Sequence, residues 1–357
     1  MKKFLALLLA RTMALALVAC GGGSDTADTG SGDTSTGDTA TGEFESMTWK
    51  FACSATETSP WVDGAKEFAR IVGEQTGGAI TVQYYPADQL TAGSQTDGIQ
   101  ALMDGTTELS MHSNLIWSSF DQRFNVVSLP FLFDSVEEAD AALDGAGGQA
   151  LGEILESEYN VHLLGIAENG FRHITNSKHA VTSLADMENL KIRVAGSQLL
   201  NRAYELWGAD YTNANWSEVF TALQTGTYDG QENPLPTADA ASIQEVQSYL
   251  TYWTGAYDCL FFCMNADLYN SLSPELQAIV DDAGQQACVY ERELNRGQDQ
   301  EIMDKWAEAG VEITELSADA AAEFAEASAP VYDEFADELT PELIEAFTSV
   351  TQADNAA

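Results

Sequence analysis

The sequence predicts an α/β protein built as two lobes, and three observations carry that expectation. Its 357 residues exceed what one hydrophobic core usually organises and suit two lobes of ordinary size. Stretches with strand character are interleaved with stretches of helical spacing, the pattern of parallel sheets covered by helices. One segment, 273–310, keeps helical character for nearly forty residues, about 50 Å at 1.5 Å per residue, long enough to run along both lobes.

In chain order, "MTWKFACS" (47–54) reads as a strand. The segment 61–78 reads as an amphipathic helix, with Val62, Ala65, Phe68, Ala69 and Val72 on one face and Gly77–Gly78 at its end. A strand at 79–86, a helix over 93–104 and a strand at 107–113 follow. "SLPFLFDS" (128–135) is a loop, helices cover about 136–158, and 161–169 is another strand. The theme then repeats. "GFRHIT" and "LKIRVA" are strand-like, 197–208 is a helix closed by Gly208, and 215–226 is a helix ended by Gly226 with Asn215 or Ser217 as its cap. "DCLFFCMN" (258–265) is a strongly apolar strand. The long helix opens on Ser273 and Pro274, "VEITEL" (311–316) is a last strand, and acidic helices finish the chain. The predicted division is 47–168 with about 258–290 in lobe I, and 169–257 with about 291–350 in lobe II.

The first 19 residues stand apart. Lys2 and Lys3 precede two apolar runs broken by Arg11, and a small residue precedes Cys20: the layout of an export signal rather than a membrane span. "LVAC" (17–20) resembles the lipobox of bacterial lipoproteins, in which the cysteine is lipidated and becomes the mature N-terminus. The segment 20–46 then reads as a lipid-anchored flexible linker: 21–43 contains no large apolar side chain with which to offset chain entropy. The expected location is exported, tied to the outer face of the cytoplasmic membrane or in the periplasm, with the membrane touched through the anchor only.

With 56 acids against 15 Lys and Arg, the formal charge is −41. Nucleic acid is excluded as a partner, since phosphate contact needs a basic patch. An anionic ligand needs local positive charge, so each arginine matters. Cys53, Cys259, Cys263 and Cys288 read either as buried small apolar residues or as disulfide partners. The four histidines show no ligand spacing with them, so neither a metal site nor a cofactor is expected.

The sequence contains no HExxH, GxSxG or P-loop motif. Among 56 acids, chance carboxylate pairs carry little weight for glycoside chemistry. Arg172 and Arg193 are more informative, because each lies inside an apolar strand-like segment where a lone guanidinium is costly to bury. Each is either an internal salt bridge or a fork held out at a strand end for a carboxylate. "DGQENP" (229–234), with two acids, two amides and a proline, could be a catalytic cluster, a binding loop or a polar turn.

"SEVFTALQTGTYDGQENP" (217–234), "LKIRVAGS" (190–197), "GFRHITN" (170–176) and "SLPFLFDS" (128–135) together resemble the extracytoplasmic receptors of TRAP transporters, of the dicarboxylate-receptor (DctP) type. The resemblance runs from about residue 48 to 320. It implies a two-lobed periplasmic-binding-protein-like fold of type II character, with a central cleft and one long helix bracing both lobes. It implies a binding protein rather than an enzyme, serving a TRAP permease driven by an ion gradient. Residue by residue, it implies that Arg193 clamps the ligand carboxylate, that Arg172 supports the same anion, that Asn233 donates its amide to it and that Trp216 packs over the ligand. Asp229 and Glu232 then become structural. Alignment without gaps adds Ser54, Ser113 and Asn114 from the other lobe. Ser113, Asn114 and Ile116 stand where receptors for acidic sugars often carry charge, which the resemblance turns into an argument against such a ligand. Trp61 and Trp117 are better core residues than ligand contacts, and Glu57 suits a solvated loop as well as a ligand amine. Glu188–Asn189 replaces a usual lysine–glycine turn without expected consequence.

The reading is a tethered receptor for a small organic acid, feeding a TRAP permease. The alternatives are a ligand-binding lipoprotein of an ABC importer or sensor system and, further off, an envelope hydrolase using carboxylate pairs.

Overall fold

The structure, a computed structural model, describes residues 44–354. The export segment, Cys20 and most of the tether lie outside the described residues. Two sheets organise the rest. The first has the order β2–β1–β3–β10–β4, from Met47–Cys53 (β1), Ile80–Tyr85 (β2), Leu109–Ser113 (β3), Val161–Phe171 (β4) and Tyr257–Asn265 (β10). The second has the order β11–β9–β5–β8–β6–β7, from His173–Asn176 (β5), Lys191–Val194 (β6), Asp210–Asn213 (β7), Gly230–Asn233 (β8), Tyr249–Tyr252 (β9) and Glu312–Glu315 (β11).

The sheets are mixed, not purely parallel as expected. β10 runs antiparallel to both β3 and β4, and β5 runs antiparallel to both β8 and β9. The reason is topological. The chain crosses from the first sheet to the second between β4 and β5 and returns between β9 and β10. The strand just downstream of each of these two crossings enters its sheet from the cleft side, against the direction of its neighbours; a third crossing, between β10 and β11, adds β11 parallel to β9 at the sheet edge. The remaining parallel strands therefore end at the cleft, where ligands of open α/β sheets bind.

Sequence pattern explains the packing. In β1, Trp49, Phe51 and Cys53 alternate into one core with the helix Pro60–Gln75. Phe262 of β10 meets Phe51 and Phe68 edge-on at 5.9 and 5.1 Å, contacts worth about 0.5–1.5 kcal/mol each. β10 is buried throughout: Leu260, Phe262 and Met264 serve that core, while Cys259, Phe261 and Cys263 serve a second one on the other face. All four cysteines among the described residues are free and buried. Helix starts follow their caps: Ser59 with Pro60, Ser94, Ser197, and Ser273 with Pro274. Asn215 occupies a cap position without a capping bond from its side chain. Asn189 adopts φ 64°, the left-handed conformation that asparagine tolerates better than most side chains.

Three expectations need correction. The segment 273–310 is not one helix. It is Pro274–Arg296 followed by Asp299–Glu308, divided at Gly297–Gln298, where glycine gives the helix little support. The brace is these two helices in series. Leu276, Val280, Ala287 and Cys288 of the former pack with the first sheet, and Ile302 and Trp306 of the latter with the second lobe's outer core. Strands β7, β8 and β9 did not stand out in the sequence, and "DGQENP" is not a turn: Gly230–Asn233 is a buried strand in the interior of the second sheet. The last helix, Pro341–Asp354, expected with the second lobe, packs on the helices Val136–Leu143 and Ala146–Glu158 instead, with Phe347 against Phe133 and over Gly147.

Candidate functional site

Between the sheets lies a narrow cavity, with about 30 Å³ of room for a water-sized sphere inside about 350 Å³ of space between atoms that is partly open to solvent. Strand ends supply most of its wall: Ser54 just past β1, Ser113 closing β3, Asn169 late in β4, Arg193 and Ala195 at the end of β6, Asn233 closing β8, and Asp258 entering on β10. A bulge in the β4–β10 pairing leaves Asn169 opposite no residue and turns its side chain into the wall. There its Nδ2 donates to Asp258 Oδ2 (2.7 Å) and its Oδ1 accepts from Thr237 Oγ1 (2.6 Å).

The two arginines have opposite environments. Arg172, between β4 and β5, is a buried salt bridge. Its Nε meets Glu232 Oε2, its Nη2 donates to Glu232 Oε1 and to the Glu232 carbonyl (2.9 Å each), and its Nη1 meets Asp258 Oδ2. Burial works against its charge, but the two carboxylates more than offset it and raise its pKa. Asp258 is pushed up by burial, while Arg172, Asn169 and Ser113 pull the other way.

Arg193 has no such partner. Its Nε and Nη2 both donate to the Ala214 carbonyl (3.0 and 2.6 Å), and its guanidinium carbon sits 5.7 Å from the centre of the Trp216 ring. Among the described residues no carboxylate forms an ion pair with it and its Nη1 makes no hydrogen bond. Burial lowers its pKa to about 10, so it stays charged at neutral pH. A buried guanidinium bonded only to a carbonyl is short of a counter-ion, and Arg193 lines the cavity.

Trp216 opens the helix Trp216–Gln224, and its backbone N–H donates to Gln95 Oε1 across the cleft (3.2 Å). Next to it Ser217 Oγ donates to the Gly93 carbonyl (3.1 Å). These bonds join the two lobes over the cavity. Asn233 Nδ2 donates to Gln231 Oε1 (2.9 Å), which leaves a second amide proton for the cavity. Ser113 Oγ donates to Asp258 Oδ1 (2.7 Å).

The structure therefore gathers Arg193, Arg172, Asn233, Trp216, Ser54 and Ser113 around one cavity. Asn114 is a correction. It faces the core, where its Nδ2 serves the Phe124 carbonyl and Ser128 and its Oδ1 accepts from Cys259 N–H, so its amide is committed. Trp117 is core, packed on Phe120, Phe124, Tyr159 and Phe261. Trp61 belongs to a core and also lines the cavity, and Glu57 is exposed away from it. Asp229 is structural: it accepts from Lys191 N–H (3.1 Å) and pairs with Lys178 (3.0 Å). Sequence reasoning missed Gln95, Asn169, Thr237 and Asp258. Only Asp258 left a signal, an acid inside an apolar strand that must find a cation.

Residues 51–339 match the family described as "Bacterial extracellular solute-binding protein, family 7". The chain is 32% identical to the 2,3-diketo-L-gulonate-binding periplasmic protein YiaO of Escherichia coli K12 over 264 residues, 74% of this chain and 80% of that one. Among solved structures it resembles the sugar acid binding protein DctPAm of Advenella mimigardefordensis in complex with galactonate (TM-score 0.83, 28% identity, 87% of this chain and 99% of that one). It also resembles a TRAP periplasmic solute binding protein of Ralstonia eutropha with bound (S)-2-acetolactate (TM-score 0.82, 30% identity, 85% and 99%).

Proposed function

Since the chain belongs to the bacterial extracellular solute-binding proteins of family 7, the receptors of TRAP transporters, we propose that its cleft holds a small organic acid with the carboxylate on Arg193. The protein is an extracytoplasmic solute receptor. The observation that carries the assignment of Arg193 is its burial at the cavity wall with no ion-paired carboxylate among the described residues. Asn233 supplies an amide N–H to the same carboxylate, and Trp216 covers it. Arg172 acts one step away: it is saturated by Glu232 and Asp258, so it sets the field and the shape of the site. Ser54 and Ser113 form part of the opposite wall. Ligand favours the closed arrangement, which a TRAP permease recognises. The protein works by binding alone.

The relatives above bind or are named for acids, and the same class is proposed here. We also propose that Cys20 is lipidated and that 20–46 tethers the receptor near its permease. Lobe I is 47–168 with about 258–290 and the last helix; lobe II is 169–257 with about 291–340.

A thermal-shift panel of mono- and dicarboxylates, keto acids and sugar acids, each with its neutral amide, tests the reading. A ligand at 100 times its Kd adds roughly 2.7 kcal/mol of stability. Stabilisation by an amide as strongly as by its acid would remove the carboxylate assignment. Cys20→Ser should release the protein from the membrane fraction.

A further inference from the structure

The wall facing Arg193 bears no positive charge of its own to meet a second anion. From the lobe of the first sheet, Ser54, Ala55, Trp61, Gln95, Ser113, Ile116 and Asp258 line the cavity, and none is a cation. Among the described residues the only cations lining it are Arg172 and Arg193, and Arg172 is already shared by two carboxylates. Counting Arg172, Arg193, Glu232 and Asp258, the buried cluster is neutral before ligand arrives.

That wall does hold unused polar groups. Trp61 Nε1–H and the Ser54 hydroxyl are both buried and, among the described residues, without a hydrogen-bond partner. Indole nitrogen is a donor only, so it needs an acceptor. Gln95 lines the same wall with its Oε1 already engaged by Trp216 N–H. An orphaned donor costs free energy until something accepts from it, and an oxygen on the ligand is the group available in the cavity.

We propose that the site selects acids with one carboxylate and an uncharged oxygen at the far end, a hydroxy- or oxo-monocarboxylate, with Trp61 and Ser54 as the residues that read that oxygen. This rests on Arg193 as the carboxylate clamp. A monoanion leaves the filled cluster with one net negative charge. A dianion adds a second, buried near Asp258 with no cation to meet it, which the site disfavours by desolvation and repulsion. An unsubstituted acid leaves Trp61 and Ser54 unpaired, the arrangement by which a hydrogen-bonding site rejects an analogue lacking its oxygen.

The test is calorimetric titration of the purified full-length protein, refolded to remove carried ligand. The probes are succinate, 4-oxopentanoate and pentanoate (near-isosteres), with butanoate against 2-oxobutanoate and 2- and 3-hydroxybutanoate. At least one oxo or hydroxy acid should bind at least about tenfold tighter than its parent acid and about a hundredfold tighter than succinate. Trp61→Phe, which keeps the ring, and Ser54→Ala should each shrink the first ratio by about tenfold. A packing defect would instead weaken both acids alike and leave the ratio intact. Succinate binding as tightly as the oxo acids, or a ratio unchanged in both variants while Arg193→Ala still abolishes binding, overturns this inference and spares the carboxylate clamp. Binding indifferent to Arg193→Ala, or no binding by any acid in the panel, overturns the clamp and this inference with it.

Discussion

Arg172 and Glu232 meet in a two-point contact, Nε and Nη2 of one against both carboxylate oxygens of the other, buried between the sheets. The third corner of the guanidinium meets Asp258. Arg193, buried in the same region, has only a carbonyl. Two arginines that look alike in sequence therefore differ in environment: one is saturated by carboxylates, and the other is the proposed carboxylate clamp.

Arg172→Met should destabilise the chain by about 3–5 kcal/mol, because it strands Glu232 and Asp258 as unpaired buried charges. Urea denaturation measures this. Adding Glu232→Gln should recover part of the loss. A stability equal to the parent's would mean the cluster is not a structural ion pair.

Arg193→Gln should reverse the balance between binding and stability. Affinity should fall by about 2–5 kcal/mol, the cost of stranding a bound carboxylate. Stability without ligand should hold or rise, since the substitution removes a charge that burial opposes. Calorimetry and urea denaturation on the same sample check the pair of outcomes.

Closure over the cavity can be tested at Gly93. It has φ +88°, and a Cβ there would stand 2.5 Å from Ser217 Oγ, the group that donates to the Gly93 carbonyl across the cleft. Gly93→Ala should weaken ligand binding by about 1–3 kcal/mol and leave the ligand-bound form more open in small-angle scattering. Ser217→Gly in the same chain relieves the clash but not the backbone strain, so it should recover part of the affinity.

A pH effect is expected at Asp299, whose Oδ2 accepts from Tyr252 Oη (3.1 Å). Burial raises its pKa to about 6, against a partial opposing effect of Tyr252. In the unfolded chain an aspartate titrates near 3.9. Between about pH 4 and 6 the folded chain keeps a proton that the unfolded chain has released, so this group's contribution to stability falls as pH rises and is fully lost above 6. Asp299→Asn should add about 1–2 kcal/mol at pH 7, after discounting for partial exposure, and nothing near pH 4. His173 has the opposite sign: burial holds its pKa at about 3, so its contribution is lost as pH falls below about 6.5. The difference between variant and parent across pH isolates Asp299.

Long periodic segments were legible before the structure. The helix Pro60–Gln75, the apolar strand β10 and the Ser273–Pro274 start each carry a local signal strong enough to survive any tertiary context. Strands β7, β8 and β9 do not. Each has four residues, and the polar sequence of β8 becomes a buried strand because Thr175, Arg172 and Asn233 satisfy its side chains from outside or within the strand. Asn114 misled for the converse reason. Its place at a strand end fits a ligand contact, but one rotation of the chain into the following helix turns it toward Phe124 and Cys259.

The sequence alone determined the α/β character, the membership of Arg193 and Asn233 in recognisable segments, and the need of every buried arginine for an anion, because these follow from local periodicity and from the cost of burying charge. Only the tertiary structure decided which anion each arginine receives. Glu232 is 60 residues from Arg172 and Asp258 is 86, while Trp61 and Arg193 come from opposite lobes. Coulombic pairing and cavity shape depend on distance through space, and the chain's crossings between the sheets set those distances.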